Sequence, residues 1–213
     1  MRYADESSKR VDSRPLNVLN EAFQRVQAIG TSTACIVSVH QDTLHAANLG
    51  DSGFLVLRKG VDDQSGWQAL YKSQEQAHFF NCPFQLGTGS KDSPADADLL
   101  SLELSENDLV LVGTDGFFDN MFMDDVLEIV DSVTGETEET EESGTAGLEE
   151  RDTGSNIDVS VIADALLAQT LKMATSRDRQ SPFSIYANDF GYAYSGGKLD
   201  DITLIVAHAI KKE

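Results

Sequence analysis

The feature that most restricts the fold is an apolar run, Leu109 to Gly113, that leads directly into Thr114-Asp115-Gly116. Because every side chain of the run is apolar, a strand here would be buried on both faces and central in its sheet. The strand then ends on a carboxylate followed by glycine, which permits close approach of a ligand to the backbone. The run therefore predicts a layered fold and marks Asp115 as a candidate site residue.

The remaining sequence predicts strands and helices on both sides of this run. Residues 13–30 are expected to form a helix, with Ser13 as the N-cap, Pro15 in the first turn and Gly30 at the end. Strand character recurs at 34–39, 44–49, 54–58, 67–71, 99–104 and 202–207, and the first three of these are read as consecutive antiparallel strands joined by turns at 40–43 and 50–53. Residues 73–86 are aromatic without a period and predict a packed loop. Helical stripes cover 123–133 and 161–171.

This order of elements favours an α+β fold, an antiparallel β-sandwich flanked by helices, over a doubly wound parallel sheet. A chain of 213 residues with 40% apolar content is expected to be one domain over residues 1–213. Residues 134–156 carry eight acidic residues and one basic residue, and Leu148 is their one apolar side chain larger than alanine. This segment is predicted to be a disordered, solvated insertion, with a partner-binding or cation-attracting role left open.

Charge and hydropathy exclude several classes of function. Sixteen basic against thirty-six acidic residues give a net charge of −20, which would repel nucleic acid and anionic lipid surfaces. No apolar run approaches the roughly 20 residues that cross a bilayer. The first residues resemble neither a signal peptide nor a transit peptide. Cys35 and Cys82 form no metal or disulfide pattern, so a reducing compartment is expected. We expect a monomer without nucleic-acid partners.

Four aspartates lie where strands end or turns begin: Asp51, Asp115, Asp119 and Asp200. Carboxylates clustered at one end of a sandwich would repel one another and raise their pKa values unless cations bound between them. Mg²⁺ and Mn²⁺ favour such oxygen ligands. Each residue also has an ordinary structural interpretation, namely turn formation at Asp51 and Asp200 and helix capping at Asp119. The residues alone leave both interpretations open.

Four segments, in this order, resemble motifs of the metal-dependent (type 2C) protein serine/threonine phosphatases. They are Thr31-Ser32-Thr33-Ala34-Cys35, Ala47-Asn48-Leu49-Gly50-Asp51-Ser52-Gly53, Thr114-Asp115-Gly116-Phe117-Phe118-Asp119-Asn120 and Lys198-Leu199-Asp200-Asp201-Ile202-Thr203. Phe80-Asn81-Cys82-Pro83-Phe84-Gln85-Leu86, Ser181-Pro182-Phe183 and Gly196-Gly197-Lys198 resemble the branch that contains the mitochondrial phosphatase named for T-cell activation and its plant and fungal relatives.

The resemblance implies a two-metal site, with Mn²⁺ or Mg²⁺, that removes phosphate from phosphoserine and phosphothreonine in a phosphoprotein substrate. In such a site the metals bind the phosphate oxygens and activate a water for in-line attack. Carried over by motif, Asp115 and Asp200 would be ligands of the core metal pair, and Asp51 and Asp119 would hold a weaker additional ion. Asp200 is preferred to Asp201 as the ligand. The branch also implies a mitochondrial or plastid location.

One family motif is absent: the 213 residues contain no Asp-Gly-x-Gly-Gly segment, which in the family supplies the aspartate that bridges the core metals. The sequence therefore leads us to expect an N-terminally truncated phosphatase domain with its early strands missing and its activity low. The alternative is a catalytically inactive phosphatase-like module that binds or regulates phosphoproteins.

Overall fold

The computed structural model describes residues 14–60, 66–135 and 157–211. Its helices are α1 (Arg14–Arg25), α2 (Asp115–Phe118), α3 (Met123–Thr134), α4 (Val159–Ala174) and α5 (Pro182–Asp189), and a 3-10 turn covers Pro94–Asp96. Its strands are β1 (Thr31–Ser32), β2 (Ala34–His40), β3 (Thr43–Leu49), β4 (Gly53–Lys59), β5 (Trp67–Lys72), β6 (Ala77–Phe79), β7 (Cys82–Pro83), β8 (Leu86–Gly87), β9 (Asp98–Glu103), β10 (Leu109–Gly113) and β11 (Leu204–His208).

Strand β10 lies inside its sheet, as its apolar run predicts. The strand order of this sheet is β11-β10-β4-β5, and all its pairings are antiparallel. Alternate side chains of β10 face two different cores: Leu109 and Leu111 pack with side chains of α3 and α4, whereas Val110 packs with residues of the second sheet. A strand between two cores needs apolar residues on both faces, which explains the uninterrupted run.

The second sheet has the order β2-β3-β9 and is also antiparallel. Helix α1 packs against β2 and β3, and α3 and α4 cover the other sheet, α3 over β5 and α4 over β11. The predicted β-sandwich flanked by helices is therefore confirmed, with both sheets open rather than closed into a barrel.

The predicted hairpin across residues 50–53 is wrong. The β2–β3 hairpin forms as expected, but β3 and β4 belong to different sheets, so the turn between them carries the chain from one layer to the other. Gly50 has φ +100°, and a Cβ there would lie 2.6 Å from the carbonyl oxygen of Phe84. Only glycine suits this crossing, which brings Asp51 to the end of the sandwich.

Other element boundaries also differ from the prediction. The helix expected over 13–30 ends at Arg25, and the Gly30 carbonyl, predicted to lie at the helix end, accepts a hydrogen bond from the Thr88 N–H. Ser13 lies outside the described residues. The segment 73–86, expected to be a loop, contains β6, β7 and the start of β8, and the short helices α2 and α5 were not predicted.

The final strand begins at Leu204 rather than at residue 202. Thr114 Oγ1 donates to the Asp201 carbonyl at 2.8 Å and accepts from the Thr203 N–H at 3.0 Å, and the Thr114 N–H donates to the Thr203 carbonyl at 3.1 Å. Side-chain and backbone bonds together therefore hold residues 201–203 against the end of β10. Residues 136–156 of the predicted acidic insertion lie outside the described residues, and Thr134 is the last residue of α3. The longest helix in the described part of the chain has 16 residues, and none there could span a membrane.

Candidate metal centre

The register of the first sheet brings the predicted aspartates to one end of the sandwich. Gly113 pairs with Gly53 on one side and with Leu204 on the other. Asp115 follows Gly113 by two residues, Asp51 precedes Gly53 by two, and Asp200 precedes Leu204 by four. Since the three strands are antiparallel neighbours, all three acidic residues extend beyond the same row of the sheet.

Two of these aspartates share a face of the short helix α2. Asp115 is its first residue and Asp119 is its C-cap, whose N–H bonds to the Asp115 carbonyl at 2.7 Å. Residues four apart on a helix lie on the same face, so the two side chains point in one direction. The helical geometry accounts for the spacing of the Asp115-Gly-Phe-Phe-Asp119 sequence.

A lysine lies at the point where three of the carboxylates meet. Lys198 Nζ donates to Asp115 Oδ2 at 2.8 Å and to Asp119 Oδ2 at 2.7 Å, and it is 3.2 Å from Asp200 Oδ2. Only 16% of the Lys198 side chain is exposed. Of the Asp200–Asp201 pair, Asp200 contacts Lys198 through its carboxylate, and Asp201 contributes its backbone carbonyl to Thr114.

Backbone contacts fix the segment that carries Lys198. The buried Asn120 amide donates to the Gly116 and Lys198 carbonyls and accepts from the Lys198 N–H, each at 2.9 Å. A Cβ on Gly116 would lie 2.6 Å from the Asp201 carbonyl oxygen. Glycine at this position therefore lets the Lys198–Asp201 segment approach α2 closely.

Burial and charge shift the pKa values of the cluster in different directions. Burial raises the pKa of Asp119 to about 6, although the hydrogen bond from Lys198 acts in the opposite sense. Burial, with Asp115 nearby, also raises the pKa of Asp51. Burial would raise the pKa of Asp200, but the Asp201 N–H and Lys198 outweigh it and lower that pKa. Burial opposes the charge of Lys198, yet its bonds to Asp115 and Asp119 raise its pKa above the ordinary value.

A cavity of about 190 Å³ adjoins the cluster, and Asp51 and Asp119 both line it. Glu75 and Lys72 lie on its wall with Phe118. The pKa of Glu75 is raised by burial and then by Asp51, and burial lowers the pKa of Lys72. At roughly 30 Å³ per water, the cavity has the volume of about six water molecules.

Aromatic side chains of α5 also line this cavity. Phe183 and Tyr186 of α5 line it and contact the Phe80 ring at centroid distances of 5.6 and 5.4 Å. Phe190 and Tyr192 also pack on Phe80, at 5.5 and 4.7 Å. The rings join the β6–β7 turn to α5 and so set the shape of the cavity mouth.

The structure thus brings Asp115, Asp119 and Asp200 to one point, and Asp51 lines the adjoining cavity together with Asp119. As the side chains stand, no group of three His, Cys, Asp or Glu among the described residues is arranged to hold a metal ion. Lys198 Nζ lies between the carboxylates of Asp115 and Asp119. Sequence reasoning did not single out Lys198, Glu75 or Lys72 as site residues. The signal available for Lys198 was its position in Gly196-Gly197-Lys198, two residues before the predicted ligand Asp200.

Comparison with known proteins identifies the class to which this fold and carboxylate cluster belong, that of the type 2C protein phosphatases. The photosystem II phosphatase PBCP matches 92% of this chain and 71% of its own at a TM-score of 0.72 and 27% identity. The catalytic domain of the serine/threonine phosphatase PstP, solved with two manganese ions, matches 92% of this chain and 67% of its own at a TM-score of 0.51 and 14% identity, which supports the fold. No family model matches the chain.

Curated relatives identify the branch. The chain is 38% identical over 210 residues to the PTC7 homolog fig of Drosophila grimshawi, covering 91% of this chain and 60% of that protein. It is 35% identical over 211 residues to the probable protein phosphatase 2C 55 of Arabidopsis thaliana, covering 98% of this chain and 39% of that protein. The chain belongs to the metal-dependent (type 2C) protein phosphatase family, in the PTC7 branch. It spans about two fifths to three fifths of the length of these relatives.

Proposed function

We propose that this chain carries the site of a protein serine/threonine phosphatase that hydrolyses phosphoserine and phosphothreonine with the help of Mn²⁺ or Mg²⁺. The observation that carries the proposal is the convergence of Asp115, Asp119 and Asp200 on one cationic atom in a chain of this family. The ammonium group of Lys198 already lies among these oxygens. Carboxylate oxygens are the ligands that hard divalent ions prefer.

The donor set fits divalent cations once the Lys198 side chain is displaced. Asp115 and Asp200 would be ligands of the core metal pair, and Asp51 and Asp119 would hold a weaker additional ion beside the cavity. The match to a phosphatase solved with two manganese ions supports the use of divalent cations. Bound divalent cations would supply Lewis acidity toward the phosphate oxygens and toward an attacking water.

The surrounding residues would bind and orient the substrate. The cavity beside Asp51 and Asp119 would take the phosphate group, and Lys72 on its wall offers a positive charge to that group. Phe183 and Tyr186 would exclude water on the other side and contact the residue that carries the phosphate. A phosphoprotein is the partner class that these features suit.

A catalytically inactive, phosphoprotein-binding module is the second candidate. The chain contains no Asp-Gly-x-Gly-Gly segment, and an ammonium group occupies the centre of the carboxylate cluster. Both features would weaken metal binding, and an anionic group in the cavity would then depend on Lys72 for its positive charge. A compartment in mitochondria or plastids, a monomeric state and a single domain over residues 1–213 stay predictions from the sequence.

The two candidates are separated by measuring Mn²⁺-dependent phosphate release from a phosphothreonine peptide alongside binding of the same peptide. If the chain is a phosphatase, phosphate release should require Mn²⁺ and should be abolished by Asp115→Asn. The rate of release by these 213 residues should be low. The matched control is Asp164→Asn on the exposed face of α4, which should behave as wild type. Peptide binding without release at any Mn²⁺ concentration would support the binding module. Turnover equal to that of a full-length PTC7 homologue would overturn the expectation of low activity.

A further inference from the structure

Lys198 is held in place by contacts from both its backbone and its side chain. Its N–H and carbonyl are bonded to the Asn120 amide, and its Nζ is bonded to Asp115 and Asp119 and lies 5.0 Å from the centroid of the Phe183 ring. A side chain fixed by this many independent contacts is part of the site rather than a mobile surface lysine.

The two residues before Lys198 fix the path of the chain. Gly196 has φ +84°, and a Cβ on Gly197 would overlap the Met173 carbonyl oxygen at the end of α4. Ser181, the N-cap of α5, donates its hydroxyl to the Gly196 carbonyl at 2.8 Å. The ends of two helices therefore position the segment that delivers the ammonium group to the carboxylates.

The charge of Lys198 matches a need created by the fold. Asp115, Asp119 and Asp200 would repel one another if all three were ionised without a cation between them. At 2.7 to 3.2 Å from all three, the ammonium group offsets part of that repulsion. A divalent cation bound to the same oxygens would be repelled by a lysine that stayed in this position.

We propose that Lys198 is an internal counter-cation of the candidate metal centre: its ammonium group holds Asp115, Asp119 and Asp200 together in the metal-free protein and competes with divalent cations for their oxygens. The flexible four-carbon stem lets the ammonium group move away from the carboxylates when a cation enters. The affinity of the site for metal is then set partly by the free energy of displacing this side chain. The inference rests on the proposed function, since it assigns a role to Lys198 at the same carboxylates.

The test compares Mn²⁺ affinity in the wild-type chain and in Lys198→Met, by calorimetry and by the spin-resonance signal of free Mn²⁺. Removing the competing charge should tighten Mn²⁺ binding by about tenfold or more. Lys198→Gln, which keeps a hydrogen-bonding end without the charge, should give the same direction. Lys198→Arg keeps the charge and should stay near the wild-type affinity. Lys91→Met removes a charge from an exposed lysine in the β8–β9 connection and controls for net charge.

A second readout does not depend on metal binding. In the presence of a chelator, Lys198→Met should unfold at a lower temperature than wild type, because three carboxylates are left without their counter-charge. Saturating Mn²⁺ should reverse the order of the two melting temperatures. A chelator melting temperature that is the same in both proteins would show that the ammonium group does not hold the cluster together.

The outcomes separate this inference from the proposed function. If wild type binds Mn²⁺ and both neutral variants bind it equally or more weakly, the competition is refuted and the metal centre stands. If neither wild type nor the neutral variants bind Mn²⁺, the metal centre and the competition both fail, since vacated carboxylates would not accept the cation. Tighter binding in both neutral variants, with Lys198→Arg and Lys91→Met near wild type, supports the inference.

Discussion

Asn120 provides the sharpest test of how α2, which carries Asp115, is held against the segment that carries Lys198 and Asp200. Its side chain is fully buried, and its amide links α2 to the Lys198 backbone through three hydrogen bonds of 2.9 Å. Asn120→Ala removes all three bonds. It leaves the Lys198 N–H and two carbonyl groups without this partner, the Gly116 carbonyl in a buried position and the Lys198 groups in a partly buried one.

The expected loss of stability follows from these contacts. A net contribution of about 1 kcal/mol per hydrogen bond, increased where a buried group loses its partner, gives a loss of about 2–4 kcal/mol in the free energy of unfolding. This is a large part of the roughly 5–15 kcal/mol that stabilises a typical domain. Since Asp115 and Asp119 lie on one side of Asn120 and Asp200 on the other, Mn²⁺ affinity should fall as well.

The assay is urea unfolding, followed by calorimetry with Mn²⁺ under conditions where the variant remains folded. Asn20→Ala is the matched control, because its amide donates one bond to the Leu16 carbonyl within α1 and lies in another layer of the fold. It should cost less than about 1 kcal/mol and leave Mn²⁺ binding unchanged. A loss below about 0.5 kcal/mol in the free energy of unfolding for Asn120→Ala would show that these bonds do not stabilise the fold. A destabilised variant with wild-type Mn²⁺ affinity would show that the bonds do not position the metal site.

Three further predictions concern charge, protonation and thiol reactivity. Asp108 is fully buried and accepts two hydrogen bonds of 2.7 Å from Arg58 and one from the Ser105 N–H. Asp108→Asn should therefore lower the free energy of unfolding in urea by about 1–3 kcal/mol. Glu21→Gln, at the exposed pair with Arg25, should change that free energy by less than about 0.5 kcal/mol. Because burial raises the pKa of Asp119 to about 6, Mn²⁺ affinity measured by calorimetry should fall as the pH drops below that value. The metal-free protein should lose the stability contributed by the protonated Asp119 as the pH rises from 3.8 to about 6. An Asp119→Asn variant in which the pH dependence of affinity and of stability is unchanged would contradict both predictions. Because burial raises the pKa of the Cys35 thiol to about 12, a thiol reagent near pH 8 should label Cys35 only after denaturation. The native wild-type and Cys35→Ser chains should therefore be labelled to the same extent.

The two-layered fold could be predicted from the sequence because a strand that is buried on both faces is apolar along its whole length. The run from Leu109 to Gly113 predicted an interior strand, and the structure places it between two cores. The turn at Gly50 to Gly53 misled the prediction for a physical reason. Its glycines and aspartate predict a reversal of the chain equally well whether the next strand joins the same sheet or the facing one. The choice between the two sheets depends on pairings with strands distant in sequence, which the turn residues do not reveal.

The candidate site was predictable to different extents for different residues. Asp115 and Asp119 are four residues apart, and a helical turn is enough to bring them to one face. Asp200 is brought beside them by the pairing of β10 with β11, which a single strand pattern does not reveal. Glu75 acquires its role only through tertiary packing around the cavity, so no local sequence signal marks it. For Lys198 the one signal was its position two residues before Asp200.

The row of residues at Gly53, Gly113 and Leu204 explains why the cluster depends on the fold as a whole. Any slip of one residue in either pairing of β10 would move Asp51 or Asp200 along the sheet by about 3.4 Å and turn the neighbouring side chains to the opposite face. Glycines keep the row closely packed: a Cβ on Gly53 would overlap the Ser73 hydroxyl, and one on Gly116 would press on the Asp201 carbonyl. The carboxylates therefore meet only in the native register, where their mutual repulsion has to be offset by a cation. Lys198 fulfils that requirement from within the chain, and a divalent ion would fulfil it by displacing Lys198.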